Sequence, residues 1–125
     1  MRKRTDVLVT ACSALALAGS LGLSADAFAL DAPDTSAVDQ GREIAFDRAK
    51  GNCLACHMIE GGTLPGNIGP PLVSMKARYP DKAKLRAQIW DSTKANPNSI
   101  MPPFGRHKIL TEGEIDKVVE FIYSL

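Results

Sequence analysis

Cys53, Cys56 and His57 are the residues of this chain whose types and spacing could do chemistry together. They stand in the run Cys53-Leu54-Ala55-Cys56-His57, two cysteines two residues apart with a histidine directly after. Residues three and four apart on a helical turn share a face. Both thiols and the imidazole are therefore expected to point one way, with Leu54 and Ala55 turned elsewhere. Thiols so placed can add to the two vinyl groups of a haem as thioethers while the imidazole takes the iron. The pattern is the attachment signature of a c-type haem.

A metal-ligating histidine donates its other ring N–H to a fixed acceptor, which sets its orientation. Gly69-Pro70-Pro71-Leu72 offers a carbonyl in a proline-stiffened loop. Pro70 is the expected acceptor, and a simple turn is the plainer reading of the same residues. The second axial ligand decides between an electron carrier and a ligand-binding or catalytic haem. Met58, Met75, Met101 and His107 are the candidates. Met58 adjoins His57 and cannot reach the opposite haem face, and Met75 follows soon after Pro70, on the loop expected to serve His57. Met101 has a helix before it for crossing to the far face, and Pro102 and Pro103 stiffen its loop. Met101 is the expected ligand and His107 the runner-up.

The elements that must position these groups read as helices. Ser36 with Asp39 can cap a first helix running to about Lys50. Gly41 inside it costs about 1 kcal/mol relative to alanine, which is explained if another helix crosses closely there. Glu60 to Gly69 holds four glycines and a proline and reads as an open loop. Asp81 to Ser92 reads as a second helix, with Trp90 a core or haem-packing residue. Lys76, Arg78, Lys82, Lys84 and Arg86 make this region basic, either as a solvated face or as a docking patch for an acidic partner. Thr111 with Glu114 forms a capping box. It opens a third helix with Ile115, Val118, Val119, Ile122 and Leu125 as an apolar stripe, expected to pack on the Gly41 region. Glu112, Glu114, Asp116 and Glu120 read as its solvated face. No strand alternation or repeat stands out, so the expected class is all-α: three to four short helices around one cofactor.

Composition sets the address. Arg2, Lys3 and Arg4 precede an uncharged apolar run from Val7 to Leu23, followed by Ala27-Phe28-Ala29. This is the pattern of a secretory signal peptide, so 1–29 is expected to be cleaved, 30–37 to be a flexible lead and 38–125 to be the domain. Cys12 belongs to the discarded stretch, and no membrane span is expected after cleavage. The acidic and basic residues of the remaining chain cancel, which argues against nucleic-acid binding. So short a chain buries little surface unaided. The haem is expected to supply its core, and the haem-free chain is expected to be largely unfolded.

With these residues in place, the sequence resembles class I cytochromes c over nearly all of 38–125. Ala45 stands where an aromatic is common in that group, with Phe46 next to it. The phrases Lys50-Gly51-Asn52-Cys53 through His57, Asn67-Ile68-Gly69-Pro70-Pro71-Leu72, and Met101-Pro102-Pro103-Phe104-Gly105-Arg106-His107 are similar to the SoxX family, the single-haem subunits of SoxAX cytochromes. The resemblance implies one covalent haem c and a periplasmic location. It also implies a SoxA-like haem subunit as partner, in a complex of the L-cysteine S-thiosulfotransferase type that couples thiosulfate oxidatively to a cysteine of a SoxYZ-like carrier. This chain would be the non-catalytic subunit that passes electrons to a soluble cytochrome c. A free-standing monohaem electron carrier shares every haem feature. A thiol–disulfide enzyme using Cys53 and Cys56 and a gas-binding haem sensor are further readings.

Overall fold

The structure, a computed structural model, describes residues 35–125. The expected signal peptide, Cys12 and the start of the lead lie outside the described residues. Within them the regular structure is helical, without a strand. It comprises α1 (Thr35–Phe46), α2 (Met75–Arg78), α3 (Lys82–Trp90) and α4 (Glu112–Ser124), with single 3-10 turns at Cys53–Ala55 and Ser92–Lys94.

Helix α1 starts earlier and stops sooner than its sequence suggests. It begins at Thr35, within the stretch expected as lead, and ends at Phe46 rather than near Lys50. Asp47 is the stop. Its carboxylate accepts from the Ala49 amide at 2.8 Å, and its carbonyl accepts from the amides of Lys50 and Asn52. This local turn competes with another helical turn.

The capping box at Thr111 and Glu114 starts α4 with both reciprocal bonds formed. Ile115, Val118, Val119, Phe121 and Ile122 of α4 are buried, facing Gly41, Ile44 and Ala45 of α1. At Gly41 a Cβ would sit 1.9 Å from the Lys117 carbonyl oxygen, so only glycine allows the two backbones this close. Ala45 is fully buried, and the neighbouring Phe46 meets Phe121 edge-on with ring centroids 5.7 Å apart. The aromatic contact is thus made one residue along from its common place.

Helix α2 has no counterpart in the sequence reading. Its Met75 is buried, and the Met75 amide donates to the Leu125 carbonyl at 2.9 Å. Helix α3 starts at an Asp81 cap, whose carboxylate accepts from the Ala83 amide, and buries Leu85 and Ile89.

The charged faces stay accessible to solvent and are partly paired with each other. Lys82 pairs with Glu120 at 3.0 Å, Arg86 with Asp116 at 2.6 Å and with Glu112 at 3.5 Å, and Lys50 with Glu114 at 2.7 Å. Lys76 and Lys82 also lie over the Tyr123 ring. Two of the five basic residues of 76–86, Lys82 and Arg86, are thus turned onto the acidic face of α4 and paired within the chain. The acidic face keeps its contact with solvent, Glu112 and Asp116 being exposed, and adds these pairs.

Candidate haem-binding site

The motif is set by the end of α1. The Gly51 amide donates to the Ile44 carbonyl at 3.1 Å, and a Cβ on Gly51 would press to 2.8 Å from that oxygen. Asn52 then takes a left-handed conformation, φ 45°, which asparagine tolerates better than most residues. The following turn is 3-10 rather than α, but the bond from the His57 amide to the Cys53 carbonyl at 2.9 Å closes an i to i+4 step.

The loop after the motif is fastened back onto it by three backbone bonds. Gly66 donates to Leu54 at 2.7 Å, Gly69 to Cys56 at 2.8 Å, and Leu72 to Met58 at 2.9 Å. A Cβ on Gly66 would meet the Ala55 carbonyl oxygen at 2.0 Å, and one on Gly69 would meet the His57 ring at 2.4 Å. Both glycines are therefore close-approach positions. Their residue type alone marks them only as loop glycines.

This packing brings His57 Nδ1 to 2.7 Å from the Pro70 carbonyl oxygen. A carbonyl only accepts, so Nδ1 carries the proton and Nε2 keeps its lone pair free for a metal. Arg78 Nη1 donates to the next carbonyl, Pro71, also at 2.7 Å. The proline loop is thus held from both directions.

Cys53, Cys56, His57, Pro70 and Met101 line one cavity of about 750 Å³. Apolar side chains, among them Leu72, Ile89, Phe104 and Val118, complete its wall. The other ligand candidates fall in different places. Met58 and His107 are exposed and outside the wall. Met75 lines the cavity, but its sulfur accepts from Arg78 Nη1 at 3.4 Å. Trp90 is half-buried and does not line the cavity; its ring lies against Gly105 and under the Arg86 guanidinium. Of its two expected roles, packing at the core edge remains.

The donor set suits a haem. Two thiols, an imidazole and a thioether border a largely apolar space. No cluster of three or more His, Cys, Asp or Glu among the described residues is placed to hold a bare metal ion. Burial pushes the Cys53 thiol up to about 11. That is the opposite of the lowered pKa an exchange cysteine needs, which weakens the thiol–disulfide reading. No helix among the described residues is long and apolar enough to cross a membrane.

Ser92 is the site residue with no local signal in the sequence. It is fully buried, and its hydroxyl donates to the Met101 carbonyl at 2.7 Å.

Known proteins agree with this geometry. Residues 36–122 match the family described as cytochrome C oxidase, cbb3-type, subunit III. Among solved structures, the chain is similar to the crystal structure of SoxXA from P. pantotrophus. The TM-score is 0.62 and the identity 28%, over 69% of this chain and 79% of that one. An uncharacterized lipoprotein of Aquifex aeolicus (strain VF5) is 35% identical over 76 residues, 60% of this chain but only 37% of that protein's length. These likenesses support a c-type haem and a role in electron transfer. The chain belongs to the cytochrome C oxidase, cbb3-type, subunit III family, and it is a SoxX-like cytochrome with the class I cytochrome c fold.

Proposed function

We propose that the chain carries one haem c, bound through thioethers to Cys53 and Cys56 and ligated by His57 and Met101. The observation that carries this reading is the meeting of these four side chains at one cavity, with His57 oriented by Pro70 at 2.7 Å. The haem would supply one-electron redox chemistry. The protein's part is to hold both axial positions, so that electrons pass without a substrate on the iron. Pro70 keeps the imidazole in the metal-binding tautomer, and the apolar wall excludes water from the cofactor.

The further reading is a periplasmic SoxX-like subunit. After removal of residues 1–29, it would pair with a SoxA-like haem subunit whose complex couples thiosulfate to a carrier cysteine, and pass the electrons to a soluble cytochrome c. The SoxXA likeness supports it. So do Ile68 and Ile100, exposed aliphatic residues at the cavity of the kind that protein contacts cover.

Purification from the periplasm of the native host tests both levels. Haem staining in a denaturing gel should follow this chain and vanish in the Cys53→Ser, Cys56→Ser double variant. The ferric protein should show the near-infrared methionine-to-iron band, lost in Met101→Ala. A second haem-bearing band should co-purify. A monomer active in electron exchange would instead assign the free-standing carrier. Rapid carbon monoxide binding to the reduced protein would overturn the two-ligand reading.

A further inference from the structure

The segment from Ser92 to Met101 is a loop closed at its neck. Its interior is braced by its own bonds. The Asn96 amide donates to the Ser92 carbonyl at 3.1 Å, and the Ser99 amide donates to the Asn96 carbonyl at 2.9 Å. The Asn98 amide donates to the Asn96 side-chain oxygen at 3.0 Å, and the Met101 amide to the Ser99 hydroxyl at 3.3 Å. The Ser92 hydroxyl ties the two ends together through the Met101 carbonyl at 2.7 Å. Beyond Met101 the chain returns to the same place. The amides of Gly105 and Arg106 donate to the Trp90 carbonyl at 3.1 and 3.3 Å, and Arg106 Nε lies 3.4 Å from Asp91 Oδ2. Three consecutive residues, Trp90, Asp91 and Ser92, thus grip the methionine loop on both sides of Met101.

We propose that Ser92 is a positioning residue for Met101, its hydroxyl setting how firmly the thioether holds the iron against an outside ligand. The proposal rests on the reading of Met101 as the axial ligand. Ser92 does not line the cavity, so it acts only through Met101. A neutral thioether is kept in place largely by prior ordering of the loop that carries it, because ordering done before binding is not lost on binding. Of the contacts that order this loop, the Ser92 hydroxyl is the fully buried one. Deleting it leaves a carbonyl without its donor, a larger loss than an exposed bond would cause.

The test is optical titration of the ferric, haem-loaded proteins with imidazole, alongside the near-infrared band and the melting temperature. Wild type should show the band and Met101→Ala should lack it. Ser92→Ala should bind imidazole about tenfold more tightly than wild type, the loss expected for one buried hydrogen bond. Ser92→Cys, close in volume but a weak donor, should fall between, at about threefold. It also covers the case in which the alanine variant does not accumulate. Ser92→Thr keeps the hydroxyl and should restore the wild-type affinity. Unchanged imidazole affinity in Ser92→Ala or Ser92→Cys, with only the melting temperature lowered, overturns the proposal. Absence of the band from wild type overturns the Met101 reading itself and is seen separately.

Discussion

His57 and Met101 are held by different means. His57 sits in backbone: three amide-to-carbonyl bonds from Gly66, Gly69 and Leu72 fasten the following loop to the motif, and Gly69 lies against the ring. Met101 itself is held by side chains, the hydroxyls of Ser92 and Ser99, while its loop is braced by backbone bonds to Ser92 and Trp90 together with the Asp91–Arg106 pair. The difference follows from chain distance. The first proposed ligand lies beside the proposed attachment points, Cys53 and Cys56, so a short return loop can brace it. The second is brought in from a distant segment, and the end of α3 must supply the grip. Backbone bracing tolerates many side chains but demands glycine where chains touch. Side-chain bracing concentrates the task on a few polar groups, of which the Ser92 hydroxyl is on a fully buried residue.

That contrast can be broken or sharpened by substitution. The largest effect is expected for Gly69→Ala. A new Cβ 2.4 Å from the imidazole forces the loop off His57, at a cost of about 3 kcal/mol, and haem-stained yield should collapse. A normal yield would show that the backbone brace yields more easily than its spacing implies. Arg78→Leu should cost about 1 kcal/mol in denaturant unfolding by freeing the Pro71 carbonyl. It should leave the methionine band unchanged, because the lesion lies on the His57 loop.

The Lys50–Glu114 pair, just before the motif, gives a pH signature. The Lys50 ammonium, with the Thr111 amide and hydroxyl, holds Glu114 down to about 2 from an ordinary 4.5. A carboxylate with a depressed folded-state pKa stabilises the fold above its unfolded value, and that stability is lost as pH falls from about 4.5 toward 2. Melting temperatures of Glu114→Gln should therefore fall less steeply across that window than those of wild type; parallel curves would discount the pair. Least is expected of Lys82→Ala, a surface partner of Glu120, at below about 0.5 kcal/mol. A larger loss would mean that α3 depends on its charges as well as on Leu85 and Ile89.

What the sequence disclosed was what neighbouring residues decide. The α4 stripe, the Thr111–Glu114 box and the cysteine–histidine turn lie within a few residues of themselves. Gly41 and Pro70 were legible because glycine in a helix and paired prolines in a loop restrict the backbone, whatever they later meet. The pairing of Lys82 and Arg86 was not legible because their partners sit on α4, far along the chain. Ser92 was silent for a related reason. A serine at a helix end is ordinary until the Met101 loop folds back over it and removes water from its hydroxyl.

The contact of Gly41 with the Lys117 carbonyl carries a consequence for timing. It joins the first and last described helices, so it cannot form until α4 has been synthesised, well after Cys53 to His57 has emerged. Contacts so far apart in sequence also form slowly, since a long loop must close before they repay it. During that interval Val118 and Ile122 of α4 are not yet in the cavity wall, so Cys53 and Cys56 border a more open space. The same close crossing that finishes the domain leaves a period, set by chain order, in which the proposed haem would meet this wall still open.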